Sequence, residues 1–381
     1  NRYQENKNTS FQVHNNGVDE MMNGLDTHTL LMDYGLNDST LAVFVLNDQE
    51  IDFYYQTIDS SFFRLVRDYY RGIKTSSTDF REVSRNLSEY LIKPVYEQMR
   101  DHKKLVIIPE GPLYRIPFES LFIPGKNRYL LHDYQFSYHY SSDLLKASGK
   151  PQIRSFTGFA PVFDDSDNSM LASNNVVRTD SSFYRSEIQY RDGKYLVPLP
   201  YSLEEVQAIN EMFEEGNRQG EIFIHEEASE SNFRNNIKGK DVVHIASHGY
   251  TSLSSPGLSG LFFAQNTDQE DGYLYLHEIY NVTTSADLVV LSACKSGTGK
   301  VLFGEGAMAL PRGFISAGIP NVIASLWKVH DEKTKELMLA FYKHLLEPDM
   351  SYAKALRQAK LDCMDKGFSP IDWAGFILIG N

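Results

Sequence analysis

The stretch Leu288-Val289-Val290-Leu291-Ser292-Ala293-Cys294 is an apolar run that ends in a thiol. An earlier apolar run, Val242-Val243-His244-Ile245-Ala246-Ser247, ends in the same way in His248-Gly249. Short runs of this kind are typical of buried strands in a parallel sheet. In open α/β sheets, ligands bind where such strands give way to loops. We therefore expect the Cys294 thiol and the His248 imidazole to meet in one cleft.

Cys294 and His248 supply the two groups that an activated cysteine nucleophile needs, a thiol and an adjacent base. A free thiol is mostly protonated at neutral pH, and a nearby imidazolium lowers its pKa so that the thiolate forms. Gly249 has no side chain, so its backbone N–H can approach a substrate carbonyl and form an oxyanion hole with the N–H of Cys294. Either residue alone is explained equally well by core packing. The pair, each followed closely by glycine, favours the nucleophile.

The bulk composition is that of a folded globular protein. The chain has 381 residues, of which 42% are hydrophobic and 23% charged, and this length predicts two domains or two tightly packed halves. The formal net charge of −13 argues against a large nucleic-acid footprint or an anionic membrane surface. We therefore predict no direct nucleic-acid partner and no membrane partner.

Cysteine usage predicts the cellular compartment. Cys294 and Cys363 are the only two cysteines, which makes a disulfide framework improbable and favours a reducing, cytoplasmic environment. Cys363 lies in a helical pattern and is interpreted as a packing residue. The N-terminus has no apolar signal core, no transmembrane span is predicted, and the missing initiator methionine suggests a piece of a longer chain.

Periodicity divides the chain into a tail and two halves. Residues 1–27 are polar and aperiodic and are predicted to be a tail or linker. The N-terminal half, 28–150, is predicted to contain strands at 29–34, 41–46, 51–57 and 104–109 and helices at 61–71 and 80–92.

The second half, 151–381, alternates strands and helices after a long insertion. Residues 163–195 are rich in Asp, Ser, Asn and Arg without sustained periodicity, and we interpret them as a mobile insertion. The alternation predicts a mostly parallel sheet with helices on both faces. The predicted strands are 221–225, 241–247, 287–293, 320–325 and 373–378, and the predicted helices are 203–213, 230–237, 306–317, 332–346 and 352–364.

A resemblance to the CHAT family of caspase-like, separase-related cysteine peptidases extends over residues 28–381. The order and spacing of several motifs make it specific, and they are His244-Ile245-Ala246-Ser247-His248-Gly249, Leu291-Ser292-Ala293-Cys294-Lys295-Ser296-Gly297, Gly304-Glu305-Gly306 and Ala324-Ser325-Leu326-Trp327-Lys328-Val329-His330-Asp331. The resemblance implies a caspase-hemoglobinase-like α/β fold, in which an inactive-looking, pseudo-protease-like half (28–150) precedes the catalytic half (151–381). It also implies a His248–Cys294 dyad, whose 46-residue separation is close to the roughly 50 residues of caspases.

Substrate specificity is implied by the segment that contains Trp327 and Asp331. It resembles the separase motif whose acidic residue lines the S1 pocket, so Asp331, with Ser325 and Trp327, becomes the candidate site for a basic P1 side chain. The alternative for Asp331 is the N-cap of the helix predicted at 332–346. His330 stands where many CHAT sequences carry a second acid, which leaves the P1 preference open.

The hypotheses drawn from these residues belong to different classes. The first is a cysteine endopeptidase that cleaves a specific protein substrate. The resemblance implies a place in a prokaryotic defence or cell-death system and control by an upstream sensor or regulatory domain or subunit. If the P1 residue is basic, Arg178, Arg185, Arg191 and Lys194 are self-cleavage candidates. The alternative is a catalytically silent scaffold that binds a protein through its aromatic-rich N-terminal half.

A third hypothesis, nucleotide binding at Gly297-Thr298-Gly299-Lys300, lacks the Ser/Thr that a P-loop requires. No cofactor and no metal are expected, because His244 and His248 lie four residues apart on extended chain, too far for one ion.

Overall fold

The computed structural model describes residues 21–141, 151–163, 188–190, 194–196, 198–250, 256–265, 270–292, 294–295 and 309–380. The strands are β1 Thr29–Leu36, β2 Thr40–Leu46, β3 Ile51–Thr57, β4 Lys104–Ile108, β5 Gln135–Tyr138, β6 Ser155–Ala160, β7 Ile188–Tyr190, β8 Lys194–Leu196, β9 Gln219–Ile224, β10 Val242–Ile245, β11 His248–Tyr250, β12 Gly260–Phe262, β13 Tyr273–Tyr275, β14 Leu288–Leu291, β15 Cys294–Lys295, β16 Asn321–Ser325 and β17 Phe376–Ile379. The helices are α1 Ser60–Thr75, α2 Phe80–Leu91, α3 Tyr96–Met99, α4 Pro200–Glu215, α5 Glu230–Asn236, α6 Leu276–Ile279, α7 Ala309–Ser316, α8 Asp331–Leu345, α9 Tyr352–Asp365 and α10 Pro370–Trp373.

The chain divides into two compact units whose boundaries differ from the predicted halves. The N-terminal unit contains residues 1–151, 301–308 and 348–381, and the C-terminal unit contains 152–300 and 309–347. The sequence prediction placed 348–381 in the second half. These residues join the N-terminal unit because β17 pairs with β5 in parallel, through Ile379 and Tyr138. Pairing between strands so distant in sequence leaves no local sequence signal.

The N-terminal unit contains a mixed sheet. Its strands follow the order β3-β2-β1-β4-β5-β17. The first three are antiparallel, whereas β1, β4, β5 and β17 are parallel. Helix α1 is amphipathic, and its buried residues Phe62, Val66, Tyr69 and Ile73 recur at the spacing of one helical face. The closing strand starts at Phe376, not at the predicted 373, because α10 occupies the preceding residues.

The C-terminal unit contains five parallel strands in the order β16-β14-β10-β6-β9. Successive residues of a strand point to opposite faces, so one strand serves two cores. On one face, Val243 and Ile245 of β10 pack in a cluster that includes residues of α5, α6 and α7. On the other face, His244 contacts residues of α4 and α8. The predicted mostly parallel sheet with helices on both faces is therefore confirmed.

A second, four-stranded sheet in the C-terminal unit has the order β13-β12-β11-β15. Strands β11 and β12 are antiparallel, as are β12 and β13, while β11 and β15 are parallel. The sequence prediction missed this sheet because its strands have only two or three residues each. The sheet matters because it carries both His248 and Cys294.

Most of the predicted insertion at 163–195 lies outside the described residues, including Arg178, Arg185 and Arg191. Within it, β7 and the start of β8 form an antiparallel pair in which Tyr190 is opposite Lys194. The Gly-rich segment at 296–300 and residues 1–20 also lie outside, while residues 21–24 of the predicted tail are helical. In the part of the chain that is described, no helix is long and apolar enough to cross a bilayer.

Candidate active site

Four neighbouring parallel strands of the C-terminal unit end at one edge. Strand β6 leads into Val162 and Phe163, β10 leads toward His248, β14 leads toward Cys294, and β16 ends at Ser325. Because adjacent parallel strands run in the same direction, their carboxyl ends meet. The sequence-predicted site residues therefore all follow one edge of this sheet.

His248 and Cys294 are register partners. In the main sheet Ile245 of β10 pairs with Leu291 of β14, and beyond a two-residue link in each strand His248 of β11 pairs with Cys294 of β15. Neighbouring strands are about 4.8 Å apart, so one strand spacing separates the two backbones. The prediction that both residues end the central strands needs correction, because they begin separate short strands of the second sheet. The link after β10 is fixed by Ser247, whose hydroxyl donates to the Phe262 carbonyl.

The His248 ring is buried against Phe163. Only 3% of His248 is exposed, and the two ring centroids lie 5.4 Å apart. Phe163 has φ = 56° and Val162 has φ = 63°. Left-handed backbone is a genuine outlier for a β-branched residue, and such strain tends to cluster at functional sites. The Val162 carbonyl accepts a hydrogen bond of 2.7 Å from the Leu199 N–H, which holds this turn beside the start of α4.

Gly249 follows His248 in β11, between β12 and β15. Its register partners are Leu261 on one side and Lys295 on the other. The residue is buried, so the backbone amide lies inside the fold directly beside the candidate dyad. Its role as an oxyanion donor stays a prediction.

Asp331 caps a helix, but not the helix that the sequence suggested. It is the first residue of α8, His330 holds the N-cap position, and no side-chain cap forms there. The Asp331 carboxylate instead accepts a 3.0 Å hydrogen bond from the Tyr201 N–H in the first turn of α4. The N-cap alternative for the 332–346 helix is therefore wrong, since a neighbouring helix supplies the donor.

Burial raises the pKa of Asp331 to about 6. The hydrogen bond from Tyr201 opposes this shift, while the negative charge of Glu205 adds to it. Asp331 is therefore mostly ionised at neutral pH, and a buried carboxylate of this kind gains from a cationic partner. Its helix begins six residues after β16 ends, at the carboxyl edge of the sheet that the candidate dyad also follows.

Ser325 and Trp327 lie between β16 and α8. Ser325 is 7% exposed and Trp327 only 1% exposed. Both therefore belong to the packed interior at this edge of the sheet. Their predicted part in an S1 pocket stays a prediction.

A buried polar network beside the candidate site was not predicted from the sequence. The His244 ring, which is fully buried, contacts Glu205 through Nε2 at 2.7 Å and the Tyr342 hydroxyl through Nδ1 at 3.0 Å. Both ring nitrogens are thus occupied. The only signal in the sequence is a histidine inside an apolar run. Among the described side chains, no group of three or more His, Cys, Asp or Glu residues is arranged to hold a metal ion.

Two substitutions of Asp331 should separate its cap from its charge. Asp331→Asn keeps an acceptor for the Tyr201 N–H, whereas Asp331→Ala removes it and should cost about 1 kcal/mol. The folded-state pKa of about 6 lies above the usual 3.8, so the buried charge destabilises the fold increasingly as pH rises from 4 to 6. We expect Asp331→Asn to gain thermal stability relative to the native chain over this range. Thermal unfolding curves of the two chains between pH 4 and 8 measure this gain. An Asp331→Asn variant that is less stable than the native chain above pH 6 would contradict the raised pKa of Asp331.

Comparison with known proteins places the chain in a family. The sequence model of the CHAT domain matches residues 81–381, most of the chain, although the resemblance was expected from residue 28. Human tetratricopeptide repeat protein 28 is 26% identical over 313 residues, which are 74% of this chain and 12% of that protein. The mouse protein of the same name is 25% identical over 318 residues. The chain thus spans about an eighth of the length of these curated relatives.

A solved structure shows the same fold. The Saccharomyces cerevisiae separase–securin complex superposes with a TM-score of 0.54 at 10% identity, covering 95% of this chain and 30% of that chain. At this identity the likeness concerns the fold alone. The predicted resemblance is confirmed by both comparisons. The chain belongs to the CHAT domain family and has the α/β fold of the separase in that complex.

Proposed function

We propose that the chain is a cysteine endopeptidase with Cys294 as nucleophile and His248 as its acid–base partner. The observation that carries the proposal is the parallel register of His248 with Cys294. Family membership and the separase-like fold support it. A thiol and an imidazole on neighbouring strands are the arrangement that a Cys–His peptidase needs.

In the proposed mechanism His248 transfers protons while Cys294 carries the acyl group of the substrate. His248 takes the proton of the Cys294 thiol, and the thiolate attacks the scissile carbonyl carbon. The N–H groups of Gly249 and Cys294 hold the resulting oxyanion, a contribution of about 10²–10³ in rate per donor in other enzymes. As the tetrahedral intermediate collapses to a thioester, the imidazolium protonates the leaving amine. His248 then takes a proton from water, whose oxygen attacks the thioester carbon, and returns that proton to the departing sulfur of Cys294.

We propose that Asp331, supported by Ser325 and Trp327, binds a basic P1 side chain. The raised pKa of Asp331 supports this, because a half-buried carboxylate is stabilised by a bound guanidinium or ammonium group. A protein substrate and control by an upstream domain or subunit, within a prokaryotic defence or cell-death system, complete the proposal. The presence of securin in the separase structure is a parallel for such a protein partner.

A peptide panel tests the proposal. The peptides carry no charge apart from one varied residue, which is Arg, Lys, citrulline or Leu. They are incubated with the chain, and new N-termini are labelled and sequenced. Cleavage should follow Arg or Lys and should disappear with Cys294→Ala. Cleavage that is the same after Leu as after Arg would remove the S1 assignment while leaving the peptidase.

The scaffold alternative has one observation in its favour. In the N-terminal unit, Phe44, Ile51 and Phe53 are 43%, 47% and 43% exposed, and the rings of Phe44 and Phe53 lie 4.6 Å apart. Exposed aromatic clusters are typical of protein-binding surfaces. Iodoacetamide separates the two functions, because a catalytic Cys294 should be alkylated much faster in the native chain than in His248→Ala, and a scaffold cysteine should not.

A further inference from the structure

An open cleft of about 360 Å³ lies in the C-terminal unit at the β13 end of the second sheet. Its walls carry the carboxyl groups of Glu230, Glu270, Asp271 and Glu278 and one guanidinium, that of Arg234. The formal charge of these five side chains is −3. Such an excess in a cleft requires an explanation, because like charges repel and raise one another's pKa.

Two of the four acids have a structural role. Tyr273 and Tyr275 lie on β13, the last strand of the sheet, and their N–H groups donate to Asp271 at 3.0 Å and to Glu278 at 2.9 Å. Carboxylates that occupy the donors of an edge strand prevent another strand from adding there. Asp271 and Glu278 therefore serve to cover the edge of β13. A ligand of this cleft must bind through side chains and not by adding a strand.

The other two acids each keep one oxygen without a partner among the described residues. Glu270 accepts from the Ser231 N–H at 3.0 Å through Oε1, and its Oε2 is buried without a hydrogen bond. Glu230 Oε2 accepts a hydrogen bond of 3.4 Å from the Arg234 guanidinium, and Glu230 Oε1 is likewise buried without a hydrogen bond. Glu230 is only 7% exposed and lines the cleft. Buried carboxylate oxygens without donors are rare and costly, and a rotation of either carboxyl group into the cleft would let the donors of a ligand complete them.

Arg234 does not neutralise the cleft. Its guanidinium lies 2.8 Å from Glu278, closer than to Glu230, so its charge is shared between two carboxylates. Burial, followed by the charges of Glu278 and Asp271, raises the pKa of Glu230 to about 7. The site thus still favours a second cation.

The chemistry of the cleft selects the kind of cation. Among the described side chains no acidic group has the arrangement of a metal site, and the volume suits a side-chain head group better than a bare ion. A guanidinium presents five N–H donors in a plane and gives up its hydration more readily than an ammonium. The α-carboxylate of free arginine would be repelled by the surrounding acids, whereas an arginine within a peptide has none.

We propose that this cleft binds the guanidinium group of an arginine side chain presented by a protein ligand, with Glu230 and Glu270 as its acceptors. Two strand spacings, about 10 Å, separate β13 from β11, which carries His248. An extended peptide covers that span in about three residues. The site is defined by its own residues and does not depend on the proposed peptidase activity.

Binding of N-acetyl-arginine methylamide to the full chain tests the proposal. Its citrulline counterpart, which has the same shape without the charge, is the matched ligand. Calorimetry should detect the arginine compound and at least tenfold weaker binding of the citrulline compound. Glu230→Gln and Glu270→Gln should each weaken arginine binding about tenfold, whereas Glu211→Gln, which neutralises an exposed acid on α4, should not.

Asp331→Asn distinguishes this cleft from the proposed S1 pocket. Arginine binding that survives Asp331→Asn but is lost in Glu230→Gln assigns the ligand to the cleft, whether or not the chain cleaves peptides. Binding lost only in Asp331→Asn overturns the proposal, as does equal affinity for the citrulline compound. Melting curves without ligand show whether each Gln variant is folded. If Glu230→Gln does not fold, Glu270→Gln takes its place in the comparison with Asp331→Asn.

Discussion

Replacing Cys294 with alanine is expected to lower kcat/KM for peptide cleavage by about 10³-fold or more, because the attacking sulfur is lost and only binding and oxyanion stabilisation remain. His248→Ala should cause a comparable loss, since the thiol then has no base beside it and the leaving amine no acid. Residues that act as a unit are not additive, so the double variant should be no slower than the poorer single variant. Initial rates on a peptide cleaved by the native chain provide the measurement.

Cys363→Ala is the matched control for the thiol. Cys363 is fully buried on α9, so its replacement should affect stability and leave kcat/KM unchanged. Melting curves of all variants show whether a lost activity reflects unfolding. Cleavage that persists unchanged in folded Cys294→Ala would remove the dyad and leave the scaffold alternative, for which the exposed aromatic cluster at Phe44 and Phe53 is the place to begin.

The sequence predicted β10 and β14 as strands because both are fully buried and, apart from His244, apolar. Parallel strands of this kind are recognised by composition, and residues at equal distances beyond their ends are brought together by register. The 46-residue spacing of Ile245 and Leu291 recurs in His248 and Cys294, so one correct pairing predicts the other. This is why the proximity of the two residues could be inferred from the chain alone.

The features that were missed depend on contacts between distant segments. The short strands β11, β12 and β13 contain too few residues for alternation to be visible, so the second sheet was not predicted. Asp331 follows the sequence pattern of an N-cap, yet its partner is Tyr201, which lies 130 residues earlier. Hydrogen bonds of that range leave no trace in local periodicity.

The acids of the cleft were missed for a related reason. Glu230 begins α5 and Glu278 lies within α6, and from sequence alone each is an ordinary acid in the first turn of a short helix. Only the fold brings them together with Glu270 and shows that two carboxylate oxygens have no donor among the described residues.

A buried ion pair is a second contact, besides the pairing of β17 with β5, between the C-terminal segment and the rest of the N-terminal unit. The Lys360 ammonium of α9 contacts the Glu119 carboxylate, and both side chains are only 2% exposed. The other carboxylate oxygen accepts from the Tyr138 hydroxyl, which in turn accepts a 2.7 Å hydrogen bond from the Phe118 N–H. A buried pair adds little compared with apolar residues of the same size, but removing one partner leaves an uncompensated charge.

Lys360→Met should therefore destabilise the N-terminal unit by about 3–5 kcal/mol, because the Glu119 carboxylate loses its counterion in a dry interior. Lys354→Met, on an exposed position of the same helix, is the matched control and should change stability by less than about 0.5 kcal/mol. The double variant Lys360→Met/Glu119→Gln has no charge to bury and keeps an acceptor for Tyr138, so it should recover a large part of the loss. Urea unfolding of the native chain, the two single variants Lys360→Met and Glu119→Gln, and the double variant measures the coupling, with Lys354→Met as the control. If the double variant is as unstable as the sum of its single variants, the two side chains act independently, and the pairing of β17 with β5 must hold the C-terminal segment without them.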